Sequence, residues 1–209
     1  MNSKRFNSII MASAVTFLLL VVLSSAASAA TLKVGPGQTY TTVQDAVNNA
    51  KTGDTVKVYY GNYNEYVYVF KSIKIQGVAS GRKLPKILGF SIWGSPVISY
   101  FDISGQGYDY GIEVDSGCPT IMNNKFNVAS TGLFISGDAF KNTKKIQCPK
   151  VRNNVFNGCD FGVYIDTADN PGKLLGFTGN KFTSCTTNIG GSWELSSRTR
   201  MMNKMALKK

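Results

Sequence analysis

The side chains able to do chemistry recur at matched positions of short glycine-led segments. Aligning Gly111-Ile-Glu-Val, Gly132-Leu-Phe-Ile and Gly162-Val-Tyr-Ile puts Glu113, Phe134 and Tyr164 in one row. Asp115, Ser136 and Asp166 fall in the next. Strand alternation turns both rows outward, because the residues between them are apolar. An aromatic row beside carboxylates suits a sugar: the ring stacks on its apolar face and the acid accepts its hydroxyl hydrogens. These five residues, Glu113, Asp115, Phe134, Tyr164 and Asp166, are the candidate carbohydrate contacts. Lys141, Lys144, Lys145 and Lys173 fall in flanking loops and suit an acidic polymer. The plainer reading is a solvated face whose rings those loops cover.

Catalysis finds less support. The chain has no His, so Ser-His triads and His-bearing zinc sites are excluded. Glycoside hydrolysis needs two carboxyls about 5–10 Å apart. Asp115 and Asp166, two repeats apart, meet that at roughly 9.6 Å if strands stack every ~4.8 Å. Any stacked scaffold offers such a spacing by chance. Elimination from a uronic acid needs a Lys or Arg base, often with calcium held by acids. Lys144 and Asp166 are the residues available for it, and calcium enters only under that alternative. Otherwise no cofactor is expected. Gly35-x-Gly37 lacks the Gly-Lys-Ser/Thr ending of a phosphate loop and reads as a tight turn into a helix.

Cys118 and Cys148 each precede a proline at the start of a repeat. Cys159 and Cys185 each lie three residues after a repeat Phe. Each pair therefore sits on successive repeats. Bridges Cys118–Cys148 and Cys159–Cys185 are one outcome; reduced, stacked thiols are the other. Strand spacing lies within the Cα range of a disulfide, but in-register Cβ atoms are wider apart than its preferred ~3.8 Å. With no C-x-x-C pair, no metal site is expected.

These positions need an element that repeats. Asn123-Asn-Lys-Phe126 returns as Asn153-Asn-Val-Phe156 and Gly179-Asn-Lys-Phe182. A unit of two or three short strands cannot bury its apolar face alone and must stack on copies of itself. The unit is about 22–23 residues. Longer intervals hold extra loops at Gly137–Gln147 and Thr167–Lys173, which should protrude from one edge. Stacking predicts inward ladders of Ile112, Leu133, Val163 and Ile189, and of Val114, Ile135 and Ile165. Ile103, Phe126, Phe156 and Phe182 fill a corner. Asn124, Asn154 and Asn180 form an asparagine ladder that tolerates corner dihedrals and bonds the next turn's backbone. A helix over about 41–51 opens with a Thr41-x-x-Gln44 capping box. Beyond it the pattern is all-β to about residue 193.

Lys4 and Arg5, the apolar run Ile9–Leu23 and Ala27-Ser28-Ala29 form a signal-peptide pattern over 1–29. The alternative is an uncleaved anchor, although the run is shorter than the roughly 20 residues of a spanning helix. The expected protein is secreted or on the cell surface, with no membrane span after signal removal. Its formal charge of +11 falls largely in the signal and in a basic tail or cap at 194–209, which carries Arg198, Arg200, Lys204, Lys208 and Lys209. No nucleic-acid partner is expected, since such binders cluster their cations on a folded face. The oligomeric state is left open.

The segment 31–77 resembles the opening of pectin-lyase-like proteins. The likeness lies in the helix plugging the first coil, Gly53-Asp-Thr-Val56, Gly61-x-Tyr63-x-Glu65, and the step from Lys71-Ser-Ile73 to Gly77. The chain to about 193 is similar to the parallel β-helix repeat of bacterial and archaeal surface proteins. The resemblance implies a right-handed single-stranded parallel β-helix over 30–193, of about six coils with an N-terminal capping helix. Scaffolds of this kind carry lyases, hydrolases, esterases, epimerases and non-catalytic proteins. The esterase motifs do not match beyond Gly61-x-Tyr63-x-Glu65, and the epimerase Asp-Pro-His motif is absent. The expectation is a structural or carbohydrate-contact module facing a polysaccharide or cell-wall polymer, with no catalytic residue assigned. The alternative is a polysaccharide-acting lyase or esterase.

Overall fold

The computed structural model describes residues 28–140, 148–166 and 176–191. The expected signal sequence up to residue 27, much of both repeat loops and the basic tail lie outside them. Within them the chain is a parallel β-solenoid of about six turns. One sheet stacks seven strands: Thr31–Val34, Thr55–Tyr59, Lys74–Val78, Val97–Ser99, Thr120–Met122, Lys150–Arg152 and Phe177–Thr178. The other sheet has two arms. Asn62–Val69, Lys86–Ile92, Tyr110–Val114, Thr131–Ile135, Phe161–Ile165 and Thr187–Gly191 form one. Asp102–Ile103, Lys125–Phe126, Val155–Asn157 and Lys181–Thr183 form the other, joined to the first through Lys86–Ile92.

The ladders fall in the register the repeats predict. Ile112, Leu133, Val163 and Ile189 pair in line, as do Val114, Ile135 and Ile165. Phe126 stacks on Phe156 at 4.5 Å and Phe156 on Phe182 at 5.0 Å between ring centroids. Glycine opens the Gly132 and Gly162 strands because a Cβ there would enter the Phe156 or Phe182 ring. The apolar residues of all three faces meet in one continuous core.

The asparagines at the corner divide two tasks. Asn123 and Asn153 take the left-handed backbone, with φ of 57° and 54°. Asn124, Asn154 and Asn180 carry the bonds between coils. The Oδ1 atoms of Asn124, Asn154 and Asn180 accept from the N–H groups of Phe101, Asn124 and Asn154, each at 3.0 Å. Their amides donate to the carbonyls of Ile98, Ile121 and Val151. Each side chain thus replaces the ladder bonds that a turning backbone cannot make.

The helix is Val43–Asn49, shorter than expected, and its N-cap is Thr42 rather than Thr41. The Thr42 hydroxyl donates to Asp45 Oδ2 at 2.6 Å and accepts from the Asp45 N–H at 3.3 Å. Glu65 explains the shift. Its carboxylate accepts from the N–H groups of Val43 and Gln44 at 3.0 and 2.9 Å, fixing the first turn there. At the other end Lys71 Nζ donates to the carbonyls of Val47, Asn48 and Ala50. An acid at the N-terminus and a cation at the C-terminus both oppose the helix dipole. Tyr63, between Gly61 and Glu65, donates its hydroxyl to the Tyr59 carbonyl at 2.7 Å. The Gly61-x-Tyr63-x-Glu65 motif therefore builds the helical end of the solenoid.

Candidate functional site

Strand pairing sets one outward row as Tyr68, Ser91, Glu113, Phe134, Tyr164 and Gly190. Inter-coil bonds carry the next row through Phe70, Trp93, Asp115, Ser136 and Asp166. The five sequence candidates therefore share one face. Phe134 and Tyr164 lie nearly parallel, 5° between planes and 6.0 Å between centroids. Asp166 stands two coils from Asp115, with Ser136 between them.

The structure pairs a different set of acids from the Asp115–Asp166 couple. Ser91 Oγ is 3.3 Å from Glu113 Oε2 and 3.2 Å from Asp115 Oδ2. Ser91 has one proton and can donate to only one of them at a time. Burial first, then the neighbouring Asp115, pushes the Glu113 carboxyl above the usual range, while the Ser91 hydrogen bond opposes the shift. Burial, and next Glu113 itself, push the Tyr66 and Tyr110 phenols upward.

A carboxyl raised on folding holds its proton more tightly in the native state than in the unfolded chain. Stability therefore falls as pH rises from the unfolded pKa through the folded one, and is fully retained below both. Glu113→Gln removes that loss. The variant should melt higher than the parent at about pH 7, with the gap closing toward about pH 3. An equal difference at both pH values would contradict the assignment.

Sequence reasoning missed most of the aromatic surface, reaching only Phe134 and Tyr164. Phe70 stacks on Trp93 at 4.8 Å, Tyr68 lies 6.2 Å from Trp93, and Tyr66 stacks on Tyr108 at 4.1 Å. Tyr110 stacks on Phe134 at 4.4 Å. Phe70 is 66% exposed, Tyr68 47% and Trp93 38%. The signal was present in the alternation of Tyr66, Tyr68 and Phe70 with buried Val67 and Val69. A register shift between Tyr63 and Tyr66 breaks the repeat just before it. The first coils also lack the Asn-x-Phe mark that aligned the later ones.

The cysteines divide. Cys118 and Cys148 are bridged across successive coils, their Cα atoms 4.9 Å apart. The second proposed bridge, Cys159–Cys185, is not formed. Each thiol reaches a carbonyl of its own coil, Cys159 that of Asn157 and Cys185 that of Thr183, both at 3.8 Å, and the two unbridged thiols interact with each other across the coils. Burial pushes the Cys159 thiol up to about 12, with Cys185 adding to it. A thiol so protonated is a poor nucleophile.

Chemically, the face offers rings to stack on and carboxylates to accept hydroxyl hydrogens. Its two rows contain no Lys or Arg. The loop residues Lys141, Lys144, Lys145 and Lys173 lie outside the described residues. Among the described residues no group of three or more His, Cys, Asp or Glu is placed to hold a metal ion. No described helix is long and apolar enough to cross a membrane. Comparison with protein families, curated proteins and solved structures finds no match.

Proposed function

We propose that the chain is an exported β-solenoid whose aromatic face contacts carbohydrate without catalysis, a module of the kind its resemblance to parallel β-helix surface proteins allows. The observation that carries this reading is the exposure of Tyr68, Phe70 and Trp93 beside the Ser91–Glu113–Asp115 cluster. The ring surface these side chains leave in water costs hydration free energy, and a sugar's C–H face repays it. Because the rows carry acids and no cations, the favoured ligand is a neutral, hydroxyl-rich glycan rather than a polyuronate. Glu113 and Asp115 project from one strand side by side, an arrangement suited to gripping hydroxyls rather than flanking a scissile bond.

Export has its own support. The Ala30 N–H donates to Asp54 Oδ1 at 2.7 Å, and the Lys51 N–H to Asp54 Oδ2 at 2.8 Å. These two bonds hold the Asp54 carboxyl below its ordinary range, and the side chain is buried. Cleavage after Ala29 would turn the Ala30 amide into an ammonium with its counter-ion already in place. Sequencing the N-terminus of the exported chain tests this: a start at Ala30 is expected, and an intact leader on the mature protein would refute it.

A screen of neutral and acidic glycans followed by Trp93 fluorescence titration tests the sugar reading. Trp93→Ala should weaken binding of a retained neutral glycan about tenfold or more, as loss of a central aromatic anchor does, and Tyr164→Ala should weaken it less. Affinity unmoved by both variants would remove the proposal. Turnover of polygalacturonate, methylated pectin or alginate that disappears in Glu113→Gln would replace it with the enzymatic alternative.

A further inference from the structure

We infer that the outward face of the seven-stranded sheet is a second docking surface, for a linear polysaccharide carrying carboxylates. It does not rest on the aromatic face. Alternation with buried Val56, Val58, Ile75, Ile98, Ile121 and Val151 fixes which residues turn out. The pairing then aligns two columns along the solenoid axis. Lys33 and Lys57 are in line on adjacent coils, with Lys74 in the neighbouring column on the next coil. Lys150 and Arg152 return the charge further along. The columns contain no Asp or Glu. Thr31, Thr55 and Thr120 fill accessible positions between the cations, while Ser99 is covered.

The geometry selects the partner. Parallel coils repeat every ~4.8 Å, so the cations and hydroxyls recur along a straight line at a step comparable to one sugar residue. Lysines are point charges on flexible stems, suited to carboxylates whose spacing varies along a chain. A single-stranded nucleic acid would want a run of aromatic platforms on successive coils; the two columns hold none, and only Tyr59 and Tyr100 border them. A membrane surface would want an apolar stripe to insert, and the columns are polar apart from Val97 and Met122. Beside the lysines lies an open cleft of about 320 Å³, lined by Lys57, Gln76, Gly77, Val78, Ala79 and Tyr100. Gln76 and Tyr100 can bond sugar hydroxyls there while Lys57 meets a carboxylate. The aromatic face would repel such a polymer, since its own charges are Glu113, Asp115 and Asp166. The two faces thus divide acidic from neutral glycans between them.

The test uses the exported chain and a fluorescent oligogalacturonate, beside a neutral dextran oligosaccharide, polyphosphate and anionic lipid vesicles. The parent should bind oligogalacturonate at about 50 mM salt and release it as salt shortens the screening length. Lys33→Gln, Lys57→Gln and Lys74→Gln together should weaken it about tenfold or more. The double variant Lys150→Gln with Arg152→Gln, on distant coils, should weaken it by a smaller factor. A charge-matched triple on the third face, Lys86→Gln, Lys125→Gln and Lys181→Gln, should change it less than about twofold. Urea midpoints establish that each variant is folded. Equal losses in the two triples would mean that only net charge matters and would overturn the inference. So would tighter binding of polyphosphate or vesicles than of oligogalacturonate, or no binding of oligogalacturonate by the parent.

Discussion

Asn154→Ala should cost about 3–5 kcal/mol of folding free energy, measured as the shift in urea midpoint at constant m-value. Asn154 is fully buried. Its Oδ1 accepts from the Asn124 N–H at 3.0 Å and Nδ2 at 3.2 Å, and its Nδ2 donates to the Ile121 carbonyl at 2.9 Å. Truncation leaves the Asn124 N–H and the Ile121 carbonyl in the core without partners. Each unpaired buried group costs about 1–3 kcal/mol, and the vacated volume adds a cavity term. Asn180→Ala is the internal comparison. Asn180 is only half-buried, so water can replace part of what is lost and the cost should be smaller. A loss below about 1 kcal/mol at Asn154 would mean that the ladder is not holding the coils together.

Gly117→Ala should be nearly as damaging, at about 3 kcal/mol or more. Gly117 has φ +87°, and an added methyl would land on the Gly94 carbonyl of the preceding coil. The left-handed backbone accounts for about 1–2 kcal/mol. The collision is with main chain rather than a movable side chain, so two coils must part. Gly107→Ala separates the terms. Gly107 has φ +82° with open space around it, and should show the backbone cost alone. Gly117 also links Asp115 to Cys118, so glycan affinity should fall in Gly117→Ala and hold in Gly107→Ala. Equal destabilisation of the two variants would refute the steric account.

In a parallel solenoid each residue meets its equivalent one turn later, so sequence alignment of the repeats is also spatial alignment. That is why the Phe126–Phe156–Phe182 stack, the asparagine ladder and the row Glu113–Phe134–Tyr164 were legible. Where the repeat is interrupted, legibility fails. The register shift ahead of Tyr66 hid the alignment of Tyr68 with Ser91 and Glu113, and with it the most exposed part of the aromatic face. The division of labour between Asn123 and Asn124 was hidden for another reason. Adjacent identical residues give no clue to which one turns the backbone and which one bonds across it.

The amino-acid sequence by itself determined the fold class, the register of the later coils and the facing of the outward rows, because alternation and repeat length leave stacked strands one consistent arrangement. Tertiary structure decided which groups meet across coils. It joined Glu113 and Asp115 through Ser91, and set Glu65 and Lys71 at the two ends of the helix. It closed Cys118–Cys148 while leaving Cys159 and Cys185 as thiols. Those outcomes turn on ångström differences in how a side chain leaves its coil. Spacing along the chain sets which residues are neighbours; the local tilt of the backbone sets which way they point.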